Sequence, residues 1–294
     1  MDMNISASLV KKLREKTQAG MMDCKKALQE SDGDIEKAVD HLRKQGIAKA
    51  AAKSQRTTRE GLIAAKVSPD KRSGVILELN CETDFVARTD DFKALTQRLL
   101  KRAEALFSDG GQAALERMRK DESVTEQISN VVAKLGENIN LSRLSALKLA
   151  SGTEGKVGVY IHPGDKLGVL VVMAGDHGTK EEDFSLLLKD MSMQVAAANP
   201  SVIERQELPP EDLRREREIY RQQAKGEGKP EKIIERIVNG RLEKYYQDTC
   251  LLEQSFIKDQ DKTVGELIDE TARKLGGEIK VQGFLRFRLG ESAE

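Results

Sequence analysis

At 294 residues the chain is long enough for two or more domains, each with a modest core. Charged residues make up 33% of it, yet 49 basic and 49 acidic side chains cancel, which excludes a global field drawing it to nucleic acid or membrane. No apolar run is long enough to span a bilayer, the start Met1-Asp2-Met3-Asn4-Ile5 lacks the pattern of a secretion signal, and the scattered Cys24, Cys81 and Cys250 read as reduced thiols of a cytoplasmic protein.

Residues 5–45 predict three short helices. The first covers about Ala7–Lys16 with Leu9, Val10 and Leu13 inward, and the second about Met22–Glu30. Asp34 is placed to cap the third, in which Ile35, Val39 and Leu42 share a face. This compact bundle, residues 1–54, ends in an Ala- and Lys-rich helix and the polar linker Ser54-Gln55-Arg56-Thr57-Thr58-Arg59. From Arg43 to Arg59 there are six basic residues and no acid. No aromatics interleave them, so a solvated helix and linker outweighs an RNA site.

Leu62–Val67 and Val75–Leu79 flank a turn-rich loop and predict a hairpin. Helices are expected at about Asp91–Phe107, Gly111–Lys120 and Ser123–Leu135, the last opening on the capping box Ser123-Val124-Thr125-Glu126. Residues 55–148 thus form one α+β unit. A second hairpin, Lys156–Ile161 and Lys166–Met173, turns at His162-Pro163-Gly164-Asp165. A helix follows over Lys180–Ala198, packing Phe184, Leu187, Leu188, Met191 and Val195. The shared order of hairpin then helix makes an internal duplication plausible, although sequence similarity between the halves is too faint to establish it. Residues 207–248 differ: Leu213, Tyr220 and Ala224, then Ile234, Ile237 and Tyr245, form a thin apolar stripe among charges, which suits a projecting antiparallel coiled coil. A helix over Val264–Leu275 and a strand over Phe284–Leu289 return to the body, so 149–206 and 249–294 make the second core unit.

Catalytic chemistry is hard to find. There is no Gly-x-x-x-x-Gly-Lys-Ser/Thr loop to cradle a phosphate. His41, His162, His177 and the cysteines lack zinc-ligand spacing. A Cys24–His41 nucleophile and base can be imagined, but a small core cysteine is the commoner fate. Four clusters stand out as binding candidates. Met21-Met22, with Lys25, opens a helix where adjacent thioethers cannot both turn inward. Thr83-Asp84-Phe85-Val86 breaks a strand and sends an aromatic into a short turn, where Phe85 either plugs its own core or enters a partner. His162 occupies a hairpin tip. Phe256-Ile257 follows the coiled coil, with core packing and partner contact equally open.

The string Glu78-Leu79-Asn80-Cys81-Glu82-Thr83-Asp84-Phe85-Val86-Ala87-Arg88 resembles the signature segment of the elongation factor Ts family. Leu13-Arg14-Glu15-Lys16-Thr17-Gln18-Ala19-Gly20-Met21-Met22-Asp23-Cys24-Lys25-Lys26-Ala27-Leu28 resembles its N-terminal signature, with Gln18 where that family usually has Gly. Gly228-Lys229-Pro230, leading into Ile233-Ile234-Glu235-Arg236-Ile237-Val238-Asn239-Gly240-Arg241, falls in the expected later position. The resemblance runs over essentially the whole chain. It implies an α+β protein with an N-terminal three-helix bundle like the ubiquitin-associated fold, a two-part core with antiparallel sheets, and a protruding coiled-coil hairpin. It also implies a guanine nucleotide exchange factor without catalytic chemistry, cofactor or metal, acting on GDP-bound and nucleotide-free elongation factor Tu. Thr83, Asp84, Phe85 and Val86 would then disturb the partner's Mg²⁺ and phosphate site, Met21, Met22 and Lys25 would dock the bundle, and His162 and Ile257 would touch another part of the partner. Self-association through the coiled coil or second core unit is a further expectation; membrane and nucleic-acid partners are not expected. The competing readings are an RNA- or ribosome-binding module using Arg43–Arg59 and a thiol hydrolase based on Cys24.

Overall fold

The computed structural model of the protein describes residues 5–17, 19–106, 111–175 and 180–291. Two three-stranded antiparallel sheets lie face to face, and helices cover the outer face of each. The first sheet has the order β1 (Glu60–Val67), β2 (Ser73–Cys81), β3 (Ile139–Lys148). The second has the order β4 (Gly155–Ile161), β5 (Leu167–Gly175), β8 (Ile279–Arg288). The central strands are buried on both faces, which is why Val75-Ile76-Leu77 and Val169-Leu170-Val171-Val172-Met173 run apolar without alternation. Val75, Leu77 and Leu79 face α5 (Asp90–Leu106), α6 (Gly111–Lys120) and α7 (Glu122–Leu135). Ile63 and Ile76 face the second sheet and meet Val157, Leu170, Val172 and Phe287. Val169, Val171 and Met173 turn away onto α8 (Glu181–Ala198) and α11 (Val264–Leu275).

Both sheets follow one plan. Pairing with the third strand shifts between Glu78 and Leu79 in β2, and between Val172 and Met173 in β5. Gly61 lies opposite Asn80 and Gly155 opposite Ala174. Their φ angles are 149° and 143°, and a Cβ would fall 2.1 Å from the Leu79 carbonyl oxygen and 2.2 Å from that of Met173. Only glycine fits either place.

Ahead of the sheets, α1 (Ala7–Thr17), α2 (Met21–Glu30) and α3 (Ile35–Lys53) close around Val10, Leu13, Cys24, Ala27, Leu28 and Ala38. Asp34 caps α3 as expected, accepting from Glu36 N at 2.9 Å and Lys37 N at 3.1 Å. The Ala- and Lys-rich stretch is not a separate helix but the second half of α3, because no proline or paired breaker interrupts it. That half packs along α7 and joins the bundle to the first sheet's helices. Gln18, the end of the expected helix at Phe107, and His177 lie outside the described residues.

Three further expectations are corrected. The α7 cap is Asp121, not Ser123: its carboxylate accepts from Ser123 N at 2.9 Å and Val124 N at 3.3 Å while Arg102 Nε holds it at 2.9 Å. A charged acceptor pinned this way outcompetes a hydroxyl, and the hydrogen bond from Arg102 holds the Asp121 carboxyl below its ordinary pKa. β3 fills a segment for which no strand is expected. In the hairpin of α9 (Pro210–Gly226) and α10 (Glu231–Thr249), the α10 seam steps by four through Ile234, Val238 and Leu242 to Tyr246. Tyr246, rather than Tyr245, continues the seam, and its ring centroid lies 4.1 Å beneath the Arg205 guanidinium. The hairpin returns into β6 (Ser255–Phe256) and β7 (Asp259–Thr263), which lead to α11.

Candidate functional site

β2 delivers Cys81 to the rim of the first sheet, where the chain turns through Glu82 and Thr83 into the one-turn helix α4 (Asp84–Ala87). Thr83 is its N-cap, with extended backbone and a hydroxyl accepting from Val86 N at 3.4 Å. Successive helical side chains point about 100° apart. Val86 and Ala87 enter the core below the sheet, so Phe85 is turned outward and is 80% exposed. Asp84 pairs with Arg88 at 2.9 Å. The four residues therefore divide: Phe85 and the half-exposed Asp84 face out, whereas Val86 is 8% exposed and anchors the turn from beneath. A partner reaching Val86 would have to open that core.

The turn is held by a residue that sequence reasoning passed over. Glu137 Oε2 accepts from Thr83 N at 2.9 Å and Glu82 N at 3.1 Å, and its Oε1 accepts from Thr83 Oγ1 at 2.6 Å. Glu82 Oε1 in return accepts from Asn138 N at 2.7 Å. Asn138 Nδ2 donates to the carbonyls of Arg56 at 2.8 Å and Ser54 at 3.3 Å, so the linker leaving α3 meets the same node. The buried Cys81 thiol donates to the Thr83 carbonyl at 3.1 Å, and burial, followed by the Glu137 charge, pushes its pKa up to about 12. Cys81 supports the turn as a neutral thiol.

The other candidates occupy separate elements. Met21 and Met22 open α2 and are 59% and 73% exposed, with Lys25 exposed one turn on. Asp23 between them bonds Lys49 at 3.1 Å and fixes α2 against α3. His162 is exposed at the β4–β5 tip, its Nδ1 2.9 Å from the Tyr160 hydroxyl. Ile63 N donates to the Asp165 carbonyl at 2.6 Å, tying that tip to β1. Phe256 is core, 5% exposed, while Ile257 projects and its N donates to Gln194 Oε1 at 2.9 Å. Among the described residues no hydrogen bond joins one of these four clusters to another.

Among the described residues no hydrogen bond joins Cys24 to His41. Cys24 is fully buried, which raises its thiol pKa, and its sulfur lies near Thr17 Oγ1 and the Ala19 carbonyl. His41 instead meets Glu30 Oε2 and Gln45 Nε2, each at 2.6 Å. The basic stretch is partly neutralised by Arg43–Glu126, Lys49–Asp23 and Arg56–Glu82 pairs at 2.9, 3.1 and 3.5 Å. Two open clefts of about 790 and 940 Å³ are lined by none of the candidate residues. No helix among the described residues is long and apolar enough to cross a membrane.

The fold and site thus define an α+β protein with an aromatic projecting from one braced turn and exposed apolar side chains on separate elements. A family model described as Elongation factor TS matches residues 82–291. A protein of Chloroherpeton thalassium named Elongation factor Ts is 48% identical over 291 residues, spanning 98% of this chain and 99% of its own. Proteins of the same name from Clostridium botulinum and Prosthecochloris aestuarii are each 47% identical, spanning 99% and 97% of this chain and 94% and 99% of their own. The chain belongs to the elongation factor Ts family.

Proposed function

We propose that this protein binds elongation factor Tu·GDP and promotes GDP release, allowing GTP to rebind during translation elongation. The observation that carries this reading is Phe85: a large aromatic, 80% exposed, on a turn whose remaining residues are bonded or buried. A free-standing Phe gains nothing from water, so its benefit is realised in a complex. Entering the partner beside the Mg²⁺ and phosphate site, with Asp84 next to it, Phe85 displaces the groups that hold the cation, and the nucleotide loses the charge that neutralised it. Coupling between two ligands of one protein is reciprocal, so incoming GTP loosens the factor in turn. Met21, Met22 and Lys25 dock the bundle, where flexible thioethers adapt to an apolar partner surface. His162 and Ile257 provide a second contact from the other half of the core. The factor works in the cytoplasm and performs no bond chemistry of its own.

The test is release of a fluorescent GDP from elongation factor Tu with this protein present below stoichiometry. Release accelerates through many turnovers while the protein alone hydrolyses no GTP. An unchanged release rate at equimolar protein refutes the proposal.

A further inference from the structure

We propose that Glu137 is a positioning residue for exchange: its carboxylate holds the Glu82–Thr83 backbone so that Phe85 is aimed before the partner arrives. This rests on the reading of Phe85 given above. The topology explains why residue 137 is available. Cys81 pairs with Ile139 across β2 and β3, and continuing that antiparallel register sets Glu82 opposite Asn138 and Thr83 opposite Glu137. Past the last ladder pair, side-chain carboxylates take over from carbonyls. Glu137 accepts from the two backbone N–H groups of the turn, and Glu82 accepts from Asn138 N.

Two physical points make Glu137 more than a bystander. A helix of four residues, Asp84–Ala87, cannot hold itself, since a single turn is the unfavourable nucleus of a helix. Burial cannot hold Phe85 outward either. The direction of Phe85 is therefore set by the anchors Val86 and Ala87 and by the cap, Thr83. The cap's hydroxyl has one proton. Donating it to Glu137 Oε1 at 2.6 Å leaves the oxygen's lone pairs for Val86 N, so the carboxylate fixes the polarity of the cap. All three bonds are charge-assisted, the stronger class, and all three end on residues 82 and 83. The ordering of the turn is thus completed on folding, which leaves less to be ordered on binding.

The chain contains no tryptophan, so Phe85→Trp introduces a single indole that reports on the turn in the free protein. Adding Glu137→Gln, which removes the charge and replaces one acceptor oxygen by a donor nitrogen, lowers the fluorescence anisotropy of that indole at temperatures well below the variant's own melting midpoint, where the body stays folded. Unchanged anisotropy overturns the proposal without touching the reading of Phe85. In the exchange assay, Glu137→Gln slows GDP release at limiting factor by about tenfold, the scale of disordering one or two interface side chains. In a Phe85→Ala background it slows release further by less than about twofold, because both changes act on one element. Equal slowing in both backgrounds means Glu137 acts elsewhere and overturns the inference alone. Normal exchange by Phe85→Ala overturns the wedge, and the positioning role with it.

Discussion

The two sheets share a scaffold and differ at one exit. Each central strand is apolar on both faces, shifts register near its end, and faces a glycine that tolerates no Cβ. Each sheet is covered by a helix that buries a phenylalanine in its first turn: Phe92, Leu95 and Leu99 in α5 answer Phe184, Leu187 and Met191 in α8. Leaving β2, the chain forms α4 and projects Phe85, braced by Glu137. Leaving β5, it runs through Asp176-His177-Gly178-Thr179, which holds no large apolar side chain. The third strands also differ in origin. β3 follows directly from α7, whereas β8 arrives only after α8 to α11, with the coiled coil inserted between. A repeated frame thus carries the proposed recognition element on one copy, because loops can vary without disturbing the ladder beneath them.

The largest effects test the shared frame. Phe92→Ala and Phe184→Ala each remove a fully buried ring from the first turn of the helix packed on its sheet. Each should cost about 3–5 kcal/mol in urea denaturation, the range for a buried phenylalanine. Comparable losses support the equivalence of the halves. A near-neutral result at either site breaks it.

Phe85→Ala sharpens the contrast from the other side. Because Phe85 is 80% exposed, the free variant should melt like the parent. Its complex with elongation factor Tu should weaken by about 2 kcal/mol, as for a central interface aromatic, measured by calorimetry. Asp84→Ala should weaken it less, and the double variant should fall short of additivity, since both side chains ride on one turn. A variant that melts far lower yet binds normally per folded molecule would return Phe85 to the core.

Most elements are legible in the sequence because their apolar spacing is local. Ile35, Val39 and Leu42 announce α3, and Phe184 to Val195 announce α8. β3 is hidden by the register shift opposite Glu78 and Leu79. Its buried side chains fall at Ile139, Leu141 and Leu144, so the period of two slips where Ser142 is inserted. The extra residue that shapes the strand also erases its pattern. The candidate site divides in the same way. An aromatic at a turn is visible in the chain, but its direction depends on Glu137 Oε1 and Oε2, brought across by the β2–β3 register. The sequence Gly136-Glu137-Asn138 between a helix and Ile139 was the available signal, and it speaks only once β3 is paired. Tyr245 and Tyr246 are adjacent and chemically alike; packing against the seam and the Arg205 guanidinium over its ring single out the second.

The smallest expected effect concerns the insertion that delays β8. The hairpin has its own seam of Ala224, Ile234, Val238 and Leu242, separate from the clusters that bind the sheets. Its rungs, Arg217 to Asn239 at 2.8 Å and Arg221 to Glu235 at 3.0 Å, show which positions face one another, and the same offset sets Leu213 opposite Glu243. Residues 214–242 can therefore be replaced by a short Gly-Ser turn without straining the ends. This cut spares Glu207, which accepts from Ile203 N at 2.8 Å, the buried Leu208, and both carboxylate partners of Arg205, Glu243 and Glu253. What is lost is the hairpin's own seam, which holds only the hairpin, and exposed ion pairs worth little per pair. The melting midpoint of the body should move by no more than about 3 °C, equivalent to roughly 1 kcal/mol in a chain of this size. A fall several times larger would mean that the second sheet needs its insertion in order to receive β8. The two halves would then share a shape but not a way of being held together.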